Sequence, residues 1–194
     1  MVPATHRLSV QHGTITGPGT ERQVRGNLIF TQPSPQYKSI DGKPFFKFRQ
    51  ALRFKSATAA HSSIQDQDIH WKYYYTPDFR PWKIQDYGYT CTAAEAASLP
   101  DIVHPGAKGS LGKFVCRTAD GKSAGSIEMA YAARLAAGDN LDLQIKQRVS
   151  IQDLARAPDT IFVYRISPDH KMSLRHIVAI YKLPDHRTLK LVAN

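Results

Sequence analysis

Between Phe45 and Lys55 apolar and cationic residues take turns. Phe46, Phe48, Leu52 and Phe54 fall on one face of a strand and Lys47, Arg49, Arg53 and Lys55 on the other, because successive side chains of an extended chain point to opposite sides. The same period recurs along the chain. Val24, Leu28 and Phe30 stand opposite Arg25, Asn27 and Ile29, after an earlier strand-like run R-L-S-V-Q. Ile69, Trp71, Tyr73 and Tyr75 share one side of I-H-W-K-Y-Y-Y-T, leaving His70 on the surface side. Lys113 to Thr118 and Leu141 to Lys146 read as further strands. T-I-F-V-Y-R-I, L-R-H-I-V-A-I-Y-K-L and T-L-K-L-V then follow as an antiparallel meander joined by turns at 167–171 and 184–187.

Three stretches break this period and predict helix. Thr92 followed by Glu95 is a capping-box pattern, Ala and Leu fill the positions to Leu99, and Pro100 ends the run. S-I-E-M-A-Y-A-A-R-L-A-A-G fits two periods, with Ile127, Met129, Tyr131 and Leu135 aligned as a strand or Ile127, Ala130, Tyr131, Arg134 and Leu135 as a helix. Its alanine content, with Ser126 as N-cap and Gly138 as stop, selects helix. Ser150 and Asp153 cap a short third piece, I-Q-D-L-A-R-A. Residues 32–44 and 100–112, rich in Pro and Gly, read as loops, and the Ser-, Ala- and Gln-rich residues 56–67 as a linker. The pattern therefore predicts an α+β chain with a β-rich region at 1–66 and a second region at 67–194. The first would serve as a pro-segment, a docking region or part of one continuous sheet.

A chain of 194 residues, 42% hydrophobic and 22% charged, can bury one substantial core. No apolar run is long enough to span a bilayer, and residues 1–20 lack the apolar centre of a secretory signal, which points to a cytoplasmic location or export by a non-classical route. The net charge of +10 favours an acidic partner. The cations are spread along the chain, so no motif supports nucleic acid, although the four cations at 47–55 could grip phosphates. No glycine-rich phosphate loop or Cys-x-x-Cys pair is present, and His170 and His176 lack the spacing of a helical metal pair, so no cofactor or metal is expected.

The two cysteines leave two readings open: a bridge between Cys91 and Cys116, or a thiol at 91 and a small buried hydrophobe at 116. Under the second, Cys91 stands at the mouth of the helix predicted from Thr92, where the positive end of the helix dipole favours a thiolate. Gln85 precedes it by six positions, and His176 lies in a late strand that leads to Asp185 and Asn194. A glutamine, a helix-capping cysteine, a distal histidine on a strand and a following Asn or Asp resemble the papain-like cysteine peptidases and their bacterial relatives, over residues 85–99 and 176–194. The resemblance implies Cys91 as nucleophile, Gln85 as oxyanion donor, His176 as general base, and Asn194 or Asp185 as the group orienting the imidazole. It also implies a Cys-bearing helix packed against an antiparallel sheet.

On this reading the chemistry is thiol-based acyl transfer, with peptide hydrolysis preferred because the resemblance implies it; deamidation or transfer to an amine would use the same groups. The partner would be a protein or peptide substrate, and Trp71, Trp82, Tyr87 and Tyr89 would wall its cleft. The rival reading is a non-enzymatic binding or assembly protein. In it the aromatic segment at 71–89 and the basic strand at 47–55 form a recognition surface and Cys91 is structural.

Overall fold

The period-two pattern extends further along the chain than its clearest runs suggest. The computed structural model describes residues 4–17, 20–40, 42–56, 67–78, 80–86, 88–96, 100–151, 157–183 and 186–194. Among these there are thirteen strands and no helix. In chain order they are β1 (Ala4–Gly17), β2 (Thr20–Gln32), β3 (Gln36–Ile40), β4 (Lys43–Ser56), β5 (Gln67–Tyr75), β6 (Pro81–Asp86), β7 (Tyr89–Ala96), β8 (Lys108–Thr118), β9 (Ser123–Ala136), β10 (Asn140–Ile151), β11 (Asp159–Ile166), β12 (Met172–Lys182) and β13 (Thr188–Ala193).

Strands β4 to β13 form a meander in which each pairs with the next. β13 then pairs with β1, β1 with β2, and β2 with β4, all antiparallel. The last pairing closes a ring of 12 strands and leaves β3 outside it. β4 is the branch strand: β2 pairs with it from Ala51 to Ser56 and β3 from Lys43 to Lys47, so Phe48 to Gln50 lie between the two partners. Strands from the first 56 residues and from the rest of the chain thus share one sheet and one core.

Apolar side chains fill the inside. Leu28, Leu52, Phe54, Ile84, Phe114, Ile177, Tyr181, Leu189 and Leu191 are fully buried, and each alternates with a position on the outer wall. Two contacts cross the lumen: the Phe30 ring lies 5.2 Å from that of Phe162, and the Tyr73 hydroxyl donates to Gln147 Oε1 at 2.7 Å. They join strands that are not neighbours in the sheet, so the barrel is filled by its own side chains at these levels rather than left as a channel. The outer wall carries Lys and Arg on β4, β5, β8, β10, β12 and β13. No helix among the described residues is long and apolar enough to cross a membrane.

The α+β expectation, with a papain-like helix against a sheet, is therefore overturned. Thr92 to Ala96 belong to β7, where Thr92 lies opposite Val115 and Glu95 opposite Lys113; residues 97–99 lie outside the described residues. The capping-box spacing is a local signal, and the ladder on both sides of β7 outweighs it. The alanine-rich run is β9, with Ile127, Met129 and Ala133 buried inward, so the strand alignment of that run is the one adopted. Gly138 ends it as part of a turn and not as a helix stop. Gly138 and Asp139 both have positive φ, 69° and 57°, as tight β-hairpin turns require. The third helical piece falls largely on residues 152–156, and most of the linker on 57–66, both outside the described residues. Two segments read as loops contain strands, β3 in 32–44 and the start of β8 in 100–112.

Face assignment in β8 is open to direct test. Phe114 is fully buried, whereas its neighbour Val115 is 37% exposed. Phe114→Ala is expected to cost about 3–5 kcal/mol in urea unfolding and Val115→Ala less than about 1 kcal/mol. Similar losses at the two positions would contradict the inward and outward assignment.

Candidate functional site

Cys91 on β7 and Cys116 on β8 lie directly opposite one another in the ladder. Both side chains point into the core, and their sulfurs are bonded, with the Cα atoms 3.9 Å apart. Neither of the two cysteines is free. Cys91 therefore presents no thiol, and it sits within a strand, away from any helix dipole.

The residues grouped with it are dispersed. His176 lies on β12, five strands away round the sheet and on the outer wall, since its neighbour Ile177 points inward. At about 4.8 Å per strand the path along the sheet is roughly 24 Å. Gln85 is on the outer face of β6, where its Oε1 accepts from the Tyr74 hydroxyl at 2.5 Å and its Nε2 donates to Thr90 Oγ1 at 3.3 Å. Asn194 follows β13, and its backbone exchanges hydrogen bonds with Ser9 on β1. Of the proposed cleft walls, Trp71 is 1% exposed in the lumen, Tyr89 packs against the core and Trp82 is half-buried on the outer wall. Asp185 and Tyr87 lie outside the described residues. The papain-like constellation, and with it the cysteine-peptidase and catalytic-triad reading, is corrected by this closed barrel and its bridged cysteines.

His176 instead borders a charged cluster on the outer wall. The Asp142 carboxylate, on β10, accepts from Arg165 Nε at 3.0 Å and Arg165 Nη2 at 3.3 Å, and Arg134 Nη2 lies 3.8 Å away. The ladders explain this arrangement, because Asp142 is directly opposite Arg134 on β9 and Arg165 on β11. Hydrogen bonds from Arg165 hold the Asp142 carboxyl below its usual range, against the opposing effect of burial. Burial lowers the His176 imidazole, and Arg134 and Arg175 push it the same way against Asp142.

A second outer-wall constellation is larger. The registers of β4, β5 and β6 bring side chains into two transverse rows, Lys47–Tyr74–Lys83 and Arg49–Lys72–Gln85. In the first row the Lys47 and Lys83 ammonium groups lie 5.7 and 5.2 Å from the centre of the Tyr74 ring. Phe45 and Trp82 pack on the same ring, 5.4 and 6.0 Å away, so Phe45 and Tyr74 are buried although they point outward. Beside the second row lies a groove of about 580 Å³ lined by Arg49, Gln50, His70, Trp71, Lys72 and Gln85, with Pro33 and Gly88 at its margins. It adjoins the place where β4 passes from β3 to β2.

Among the described residues, no carboxylate forms an ion pair with Lys47, Arg49, Lys72 or Lys83. Burial lowers the Lys47 ammonium from its ordinary value, and Arg49, Lys72 and Lys38 add to the effect. Sequence alternation identifies Lys47 and Arg49 as outward cations. Lys72 and Lys83 were missed, although each stands beside an apolar core position, Tyr73 and Ile84. No group of three or more metal-ligating side chains is present among the described residues. The chain matches no protein-family model, and neither known proteins nor solved structures give a match.

Two outcomes follow. Iodoacetamide added to the unfolded but unreduced protein is expected to label neither cysteine, and after reduction to label both; peptide mass spectrometry reads the result, and a modified Cys91 without reductant would contradict the bridge. For Asp142, a lowered folded pKa means that its stabilisation is present above the unfolded value of about 3.9 and is lost as pH falls through the folded value. Asp142→Asn should therefore lower Tm at pH 7, and the difference from wild type should close as the pH falls below about 4. A difference independent of pH would show that the carboxylate charge is not what stabilises this cluster.

Proposed function

We propose that this protein is a non-enzymatic binding module whose recognition surface is the outer face of β4, β5 and β6 and whose partner is polyanionic. One observation carries the reading: Lys47, Arg49, Lys72 and Lys83 converge there through strand register with no carboxylate among the described residues to neutralise them. Residues directly opposite in an antiparallel ladder have Cβ atoms about 5 Å apart, inside the Debye length of about 8 Å at physiological ionic strength. Salt screens such charges from one another only in part, and an anionic polymer laid across them relieves their repulsion and releases its own counterions.

The net charge of +10 adds long-range attraction of the same sign. The groove beside the rows has the volume of a small-ligand site, which gives the surface a recess as well as a charge. The aromatic group of Phe45, Tyr74 and Trp82 holds the lysine stems in place, so less side-chain freedom is lost on binding.

Chromatography on immobilised heparin tests this reading. Wild type is expected to be retained, and Lys47→Glu/Lys72→Glu to elute at distinctly lower salt. Lys146→Glu/Lys190→Glu, on exposed positions of β10 and β13 elsewhere on the barrel, makes the same change in net charge and should elute close to wild type. Equal displacement of both variants would mean that net charge, and not this face, governs retention.

A further inference from the structure

Resting on the polyanion-binding reading, we infer that the natural ligand class of this face is single-stranded nucleic acid, held through its phosphates with no selection of base sequence. The first support is the shape of the surface. The face is a broad sheet of three neighbouring strands, the kind of platform across which single strands are laid. The second is the linear order of its cations. Lys47 and Arg49 are alternate residues of one strand, roughly 6.7 Å apart at the rise of an extended chain, which is comparable to the step between phosphates of an extended single strand. Lys83 and Lys72 repeat the pair two strands away and one strand away, giving a cationic strip around the Tyr74 ring.

The third support is the groove. Its volume of about 580 Å³ is of the size that takes one small ligand, and a base swung out from a flexible single strand can enter it. Bases of a paired duplex are held in the stack and cannot do so without unpairing. His70, half-buried on the outer side of β5, provides a flat ring beside the groove for such a base.

The polar groups of the groove are largely committed, which argues against reading of sequence. Both ends of the Gln85 amide are engaged, by Tyr74 and Thr90, and the Gln50 amide nitrogen donates to Gln32 Oε1 at 2.8 Å. A face with cations and flat side chains but few free hydrogen-bonding groups binds backbone and π-surface and is tolerant of base identity.

Fluorescence anisotropy with labelled oligothymidylate and oligodeoxyadenylate of about 16 nucleotides, and with the duplex they form, tests the inference. The expected result is binding of both single strands with similar affinity, at least about tenfold tighter than the duplex, a step of roughly 1.4 kcal/mol. Lys47→Glu/Lys72→Glu should weaken single-strand binding and reduce the slope of log K against log salt by roughly 1.4, about 0.7 for each phosphate that is no longer neutralised, while the charge-matched Lys146→Glu/Lys190→Glu leaves the slope unchanged. Circular dichroism of each variant confirms the fold. Duplex binding equal to or tighter than single-strand binding would overturn the inference, as would single-strand binding insensitive to the charge reversal. If heparin retention still depends on Lys47 and Lys72 in that event, the binding-surface reading stands and only the ligand class falls. If neither heparin nor oligonucleotide responds to the reversal, both fall.

Discussion

The ladder between β2 and β4 is the interaction on which the rest of the molecule depends. Without it the sheet would be an open meander with two exposed edges, prone to pair with other chains. By joining Gly26–Thr31 to Ala51–Ser56 it closes 12 of the thirteen strands into a wall with a defined inside. Closure then makes the two-residue period consequential: every strand sends one set of side chains into a filled core and the other to solvent. The position of Lys47, Arg49, Lys72 and Lys83 follows from that constraint, because the same alternation that buries Phe48, Trp71, Tyr73 and Ile84 turns the cations outward.

The same ladder also creates the recess. β2 releases β4 after Ala51 and β3 takes it up at Lys47, and the intervening residues include Arg49 and Gln50 of the groove lining. The chain crosses this gap through Pro33 and Pro35, residues that cannot donate a ladder hydrogen bond. A closed barrel thus carries a break in pairing where β4 changes partner, and the face of Lys47, Arg49, Lys72 and Lys83 lies beside it.

Strands whose alternation uses bulky or charged residues were legible from sequence: β4, β5, β11, β12 and β13 all fall where the pattern places them. The runs around Cys91 and Ile127 were not, because alanine is small enough for either period and its intrinsic preference favours helix. Their strand state is imposed by neighbours distant in sequence, as Ile84 and Cys116 flank Cys91 on either side. The disulfide has the same origin. Two cysteines separated by 25 residues carry no pairing signal until β7 and β8 set them opposite each other. The cationic face was half legible: Lys47 and Arg49 come from one strand's period, whereas their meeting with Lys72, Tyr74 and Lys83 depends on register between three strands.

Lysine acetylation footprinting, in the presence and absence of excess single-stranded oligonucleotide, tests most directly whether the β4–β6 face is the binding surface. Peptide mass spectrometry would then read each site. Protection of Lys47, Lys72 and Lys83 is expected, with little change at Lys113, Lys146 and Lys190 on other parts of the outer wall. Protection spread evenly over all six, or concentrated on the latter three, would contradict it.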